Sequence, residues 1–101
     1  MALSFGQQKR VSIASVLTMQ PKLLIMDEPS AGQDHDNIMR FMNDLLAYAP
    51  VQALLFATHD LDLAHAYANR VIVMEDGTIA ADGEPGVVLA DEALLRRCRL
   101  M

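Results

Sequence analysis

Two carboxylates stand side by side at Asp27 and Glu28, directly after the apolar run Leu23-Leu24-Ile25-Met26 and directly before Pro29. Four apolar residues in succession, with no polar alternation, predict a strand buried on both faces, as in parallel sheets that lie under helices. Open α/β sheets deliver their ligands at the carboxyl ends of their strands, so these acids stand where a substrate would sit. Adjacent ionised acids repel one another, and a bound cation relieves that repulsion. The alternative is a loop with two solvated acids, one capping a turn, but buried strands seldom end in such a pair without a reason. A second apolar run, Ala53-Leu54-Leu55-Phe56-Ala57, ends on Thr58-His59-Asp60. An imidazole titrates near neutrality, which suits a donor facing an anion. A lone histidine after a strand is more often a satisfied structural residue; the matching position of His59 after the second strand favours chemistry.

These groups need a scaffold, and the chain between them supplies one. Ile38, Phe41, Met42, Leu45 and Leu46 recur at the spacing of an amphipathic helix laid on a sheet. The loop before it, over residues 30–34, has the small residues of a tight turn, and Asp34 or Asp36 can cap the helix. Strand, helix, strand makes a βαβ unit whose handedness puts both carboxyl ends on one edge, so His59 is expected near Glu28. Upstream, Ser4 is a candidate cap and Gly6 lets the backbone approach another group closely. A helix over about residues 7–19 follows, apolar at Val11, Ile13, Ala14, Val16 and Leu17 around most of its circumference, which predicts substantial burial.

Downstream, Asp60 or Asp62 starts another helix with Leu61, Ala64 and Ala68 on its inner face. Residues 71–74 read as a third strand, and Asp76-Gly77 is a strong hairpin turn into residues 78–81. After Gly83-Glu84-Pro85 come one or two short helices, with Asp91 as a cap and Arg96, Arg97 and Arg99 near a helix C-terminus. His35 and His65 read as solvated helix residues.

Length and composition bound the rest. At 101 residues the chain can form one small domain, and with 52% hydrophobic but only 5% aromatic residues its core is aliphatic. A formal net charge of -5 argues against a general nucleic-acid surface, whose usual footprint is a basic patch. Cys98 is the single cysteine, so no internal disulfide forms, and it reads as a small apolar residue near a helix end. No apolar run approaches the roughly 18 residues of a membrane span, and Met1-Ala2-Leu3 does not resemble a secretion signal.

The segment Leu23-Leu24-Ile25-Met26-Asp27-Glu28-Pro29 resembles the Walker B segment of ATP-binding cassette (ABC) ATPases. It is preceded by Leu3-Ser4-Phe5-Gly6-Gln7, similar to that family's signature loop. It is followed by Ser30-Ala31-Gly32-Gln33-Asp34, similar to its D-loop, and by Thr58-His59-Asp60, similar to its switch histidine. The four motifs stand in family order over roughly residues 2–84. The resemblance implies an α/β fold, part of a P-loop NTPase (ABC ATPase) fold, with a mainly parallel sheet, flanking helices and a C-terminal β-hairpin. It implies ATP and Mg²⁺ as ligands, Asp27 serving the metal, Glu28 as the general base toward water, and His59 at the γ-phosphate. Ser4, Gly6 and Gln7 would close on nucleotide held by a second ABC ATPase subunit, helped by the anion-binding start of a helix, and Asp34 would couple the two sites unless it is an ordinary helix cap. Phe5 stands where the family has the first glycine of its pair. The Ala31-Gly32-Gln33-Asp34 variant looks like that of energy-coupling factor ATPases. The implied partners are that second subunit and transmembrane transporter subunits, with no nucleic acid, and the implied location is cytoplasmic, peripheral on the inner face of the membrane.

No G-x-x-x-x-G-K-[ST] phosphate loop occurs in these residues, so nothing here cradles a β-phosphate. The expectation is therefore that residues 1–101 are the C-terminal portion of an ABC ATPase domain, from a truncated, split or mis-started gene or a cut piece. By itself the chain is expected to be inactive and to leave strand edges and apolar faces bare. The alternatives are a non-catalytic fragment that pairs with an intact cassette and a truncated product without activity.

Overall fold

The structure, a computed structural model, describes residues 5–17, 19–48 and 51–101. The chain divides into two compact units, Met1–Thr58 and His59–Met101.

The first unit runs α1 (Phe5–Leu17), β1 (Leu23–Asp27), α2 (His35–Tyr48), β2 (Ala53–Ala57). β1 and β2 are parallel and pair from Leu23 with Ala53 to Asp27 with Ala57. Parallel strands require a crossover connection, and α2 is that crossover. Its buried stripe is Ile38, Met42 and Leu45, while Phe41 is half-buried and Leu46 exposed, so the covered face is narrower than the apolar spacing predicts.

β1 is not buried on both faces. Leu24 and Met26 are 3% and 4% exposed, but Leu23 and Ile25 are 51% and 64% exposed. β2 alternates between half-buried and exposed with no fully buried residue. The reason lies in the layers: among the described residues this sheet has two strands, and a continuous apolar run is buried on both faces only where a layer covers each face. The same shortage of neighbours corrects the reading of α1. Val16 is exposed and Ile13 and Leu17 are only half-buried, so the burial expected for this helix is not reached at those positions. α1 is described over Phe5–Leu17, where the sequence predicts a helix over about residues 7–19. Ser4, the expected cap, lies outside the described residues.

The second unit runs α3 (Leu61–Tyr67), β3 (Val71–Glu75), β4 (Thr78–Gly83), α4 (Pro85–Val88), α5 (Glu92–Arg97). β3 and β4 form an antiparallel hairpin turning at Asp76 (φ 48°) and Gly77 (φ 80°). Positive φ at both central residues is the turn whose twist matches the strands it joins. The register slips between Val73 and Met74, a bulge that leaves Ala80 as the extra residue. Val73, Val88 and Leu94 form the buried cluster here, with Val71, Ala80, Ala81, Cys98 and Leu100 packed against it.

Caps begin two of these helices. Asp60, one of the two acids expected to start α3, accepts from the Leu63 N–H at 3.1 Å, and Asp91 accepts from the Leu94 N–H at 3.1 Å as expected. At the end of α5, Arg99 is left-handed (φ 59°) and the Leu100 N–H returns to the Leu95 carbonyl at 2.8 Å. This closes the helix in a Schellman arrangement. In α3 the buried residue is Leu63, whereas Leu61, Ala64 and Ala68 are half-buried. The larger side chain takes the interior, a choice that the alanine spacing did not reveal.

Candidate active site

The in-register pairing of β1 and β2 ends both strands at one edge of the sheet, and the residues just past that edge meet. The Glu28 N–H donates to the Ala57 carbonyl at 2.6 Å, carrying the ladder one residue beyond β1. Glu28 has φ 45°, a left-handed backbone that costs a residue with a Cβ roughly 1–2 kcal/mol. Such strain persists only where the surroundings hold it, and the contacts that hold it are visible. Pro29 is fully buried. Gln33 Nε2 donates to the Pro29 carbonyl at 2.9 Å, and the Ala31 N–H to the Glu28 carbonyl at 3.2 Å. Gly32, at φ 75°, supplies the reversal that brings Gln33 back. Gln33 Oε1 is buried without a hydrogen-bond partner among the described residues, a polar atom this turn leaves over.

The Glu28 carboxylate is half-buried and gripped by hydroxyls. Its Oε2 accepts from Thr58 Oγ1 at 2.5 Å and from Ser30 Oγ at 3.2 Å. Asp27, the last residue of β1, falls by alternation on the same exposed side as Leu23 and Ile25 and is itself exposed. The edge therefore presents one carboxylate to solvent and one held in place. A held carboxylate can accept a proton from a bound water, and an exposed one can serve a hard cation. Among the described residues no three His, Cys, Asp or Glu side chains gather as a ready metal cage.

The other candidates are placed as follows. Asp34 is the N-cap of α2: Oδ1 accepts from the Asn37 N–H at 2.9 Å and Oδ2 from Asn37 Nδ2 at 3.1 Å. Of the two roles open to it, the helix cap is the one this geometry displays. Gly6 and Gln7 lie in the first turn of α1, with Gln7 exposed, and Ser4 is outside the described residues. His59 follows Thr58 directly, is exposed and opens the second unit. His35 and His65 are exposed helix residues, as their sequence positions predict.

Three residues of this edge stand in the sequence motifs with no role of their own assigned from sequence. Thr58, Ser30 and Gln33 organise Glu28, and none carries a charge that draws notice. A signal for Thr58 did exist: it stands five residues after Ala53 as Glu28 stands five after Leu23, so pairing the two segments from their first residues makes them neighbours.

Comparison with known proteins bears on this arrangement. The family model described as ABC transporter matches residues 1–31. An ABC transporter ATP-binding protein of Bacillus thuringiensis subsp. konkukian is 47% identical over 100 residues, covering 98% of this chain and 18% of its own length. The solved structure of cbiO1 from Clostridium perfringens, part of the ABC transporter complex cbiONQ, superposes with a TM-score of 0.76 at 39% identity. That match covers 98% of this chain and 40% of cbiO1. The ATP-binding cassette MJ0796, in a dimeric post-hydrolysis state bound to ADP and Pi, gives a TM-score of 0.71 at 28% identity over 82% of this chain and 36% of its own. The chain thus spans about a fifth of the length of the curated relatives it matches.

Proposed function

Since the chain is a relative of ABC transporter ATP-binding proteins and shares the fold of their cassettes, we propose that it supplies the water-activating part of an ATPase site. Residues 1–101 are the C-terminal portion of that domain, working with a phosphate-loop portion of the kind its sequence lacks. Glu28 is the general base: it takes the proton of the water that attacks the γ-phosphate. Asp27 serves Mg²⁺; a cation that keeps most of its waters and binds through one or two carboxylates plus phosphates suits an edge with oxygen donors and no cage among the described residues. When bound, that ion neutralises charge developing on the phosphoryl group. His59 donates to the γ-phosphate, and Ser4, Gly6 and Gln7 close on nucleotide held by a second cassette. Asp34 shapes the turn between the two sites as the cap of α2.

The observation that carries this reading is the shared carboxyl edge of β1 and β2, where a strained, hydroxyl-held Glu28 follows directly on an exposed Asp27. The partners proposed are a second ATPase subunit and transmembrane transporter subunits, which would hold the chain at the inner face of the membrane. No described helix is long and apolar enough to cross a membrane. Similarity to cbiO1 and the Ala31-Gly32-Gln33-Asp34 turn favour the energy-coupling factor kind of assembly.

The test mixes the chain with a polypeptide carrying the phosphate-loop half of a relative and measures Mg²⁺-dependent release of phosphate from ATP. The chain alone is expected to bind no nucleotide and to release none. The mixture turns over, and Glu28→Gln lowers its kcat by roughly a hundredfold or more while leaving ATP binding intact. Turnover that survives Glu28→Gln removes the base assignment. A mixture that assembles but never hydrolyses favours instead a non-catalytic role in pairing with an intact cassette.

A further inference from the structure

Glu28 and Thr58 are 30 residues apart in sequence and meet through a short hydrogen bond, 2.5 Å from Thr58 Oγ1 to Glu28 Oε2. From this contact we infer that the Thr58 hydroxyl is a positioning residue for the Glu28 carboxylate, setting the direction from which that carboxylate accepts a proton. The inference rests on the reading of Glu28 as the base.

Three features of the edge carry it. A glutamate has three side-chain torsions, so a base on such a stem is dispersed over many rotamers unless something fixes its far end. The backbone of Glu28 is already fixed, by the ladder bond to the Ala57 carbonyl and by the left-handed φ that the Pro29–Gln33 contact secures. Fixing the backbone does not by itself restrict the three side-chain torsions. Thr58 restricts them from the end of the neighbouring strand, and Ser30 adds a second donor to the same oxygen at 3.2 Å. Both donors converge on Oε2. Hydrogen bonds to an ionised acceptor are the strong ones, and the Thr58 bond is much the shorter of the two.

The placement of Thr58 does not depend on its own flexibility. It directly follows β2, whose register with β1 is set by five residue pairs, and as a β-branched residue it is stiff at χ1. The donor is therefore held by the sheet itself, and the acid at the end of one strand is aimed by the hydroxyl at the end of the next. Misplacing a catalytic group by about 1 Å can cost on the order of a hundredfold in rate, which sets the scale of effect expected when the hydroxyl is lost.

The mixed assembly described above tests this with two substitutions. Thr58→Val keeps the branched shape and deletes the donor; kcat is expected to fall roughly tenfold to a hundredfold with KM for ATP unchanged. Thr58→Ser keeps the donor, and its kcat is expected within about threefold of the unsubstituted assembly. A kcat for Thr58→Val equal to that for Thr58→Ser overturns the inference, provided Glu28→Gln has abolished turnover. Survival of turnover in Glu28→Gln instead overturns the base assignment on which the inference rests. NMR on the chain itself supplies a readout independent of hydrolysis. The Thr58 hydroxyl proton is expected to be slow to exchange, and Thr58→Val to move the Glu28 side-chain carboxyl carbon signal, with amide signals elsewhere in the first unit in place. A carboxyl signal indifferent to Thr58→Val also overturns it.

Discussion

Glu28 and Asp34 are acids at the two ends of one turn, and their surroundings give them different work. Asp34 spends both carboxylate oxygens on Asn37 at the start of α2, whereas the Glu28 carboxylate accepts from the Thr58 and Ser30 hydroxyls and sits on a strained backbone. A third acid, Asp82, shows what a full ion pair does. Arg70 Nε and Nη2 donate to its two oxygens at 2.9 and 2.7 Å, and that hydrogen bonding, aided by the guanidinium charge, holds the Asp82 carboxyl below its ordinary range. The folded form therefore favours the ionised acid. Its contribution is present above the ordinary carboxylate midpoint near pH ~4 and fades as pH falls through the lower Asp82 midpoint. Both side chains are well exposed, so the pair contributes little to stability and its clearest trace is spectroscopic. In an NMR titration, Arg70→Gln is expected to raise the Asp82 midpoint toward the ordinary value. A midpoint that stays put means the pair is not held in solution.

At the scale of elements, the features that depend on neighbours within one turn of the chain are legible in the sequence. The apolar runs mark both parallel strands, Asp60 and Asp91 cap α3 and α5, and Asp76-Gly77 makes the hairpin turn. The turn carries a direct test: Gly77 has φ 80° and open space for 4 Å around the position a Cβ would take, so alanine there meets no clash but must adopt a left-handed backbone. Gly77→Ala is expected to destabilise the hairpin by about 1 kcal/mol, seen as faster hydrogen exchange of β3 and β4 amides. Unchanged protection counts against the turn geometry. Less legible is the extent of burial. Neither the exposed side of β1, nor the half-burial of Ile13 and Leu17 in α1, nor the choice of Leu63 as the interior residue of α3 follows from periodicity, because burial depends on what else is packed nearby.

At the scale of the whole molecule, the exposed apolar side of the parallel pair in the first unit bears on association. Leu23, Ile25 and Leu55 lie on it in register, beside an apolar groove lined by Ile13, Val16, Leu24 and Met26. Paired strands with bare edges and a bare apolar face invite association. Purified alone, the chain is expected to self-associate, and the double substitution Ile25→Lys with Leu55→Lys to shift it toward monomer in sedimentation velocity. A monodisperse monomer with a cooperative melt before any substitution sinks that expectation. By itself the sequence determined the order of elements, the acids at a strand end and the family likeness, since these rest on local spacing and side-chain type. The tertiary structure alone decided that Thr58 grips Glu28 and that one face of the β1–β2 sheet lies open. Those outcomes follow from strand register and from how many layers cover the sheet, which are set by packing between residues far apart in the chain.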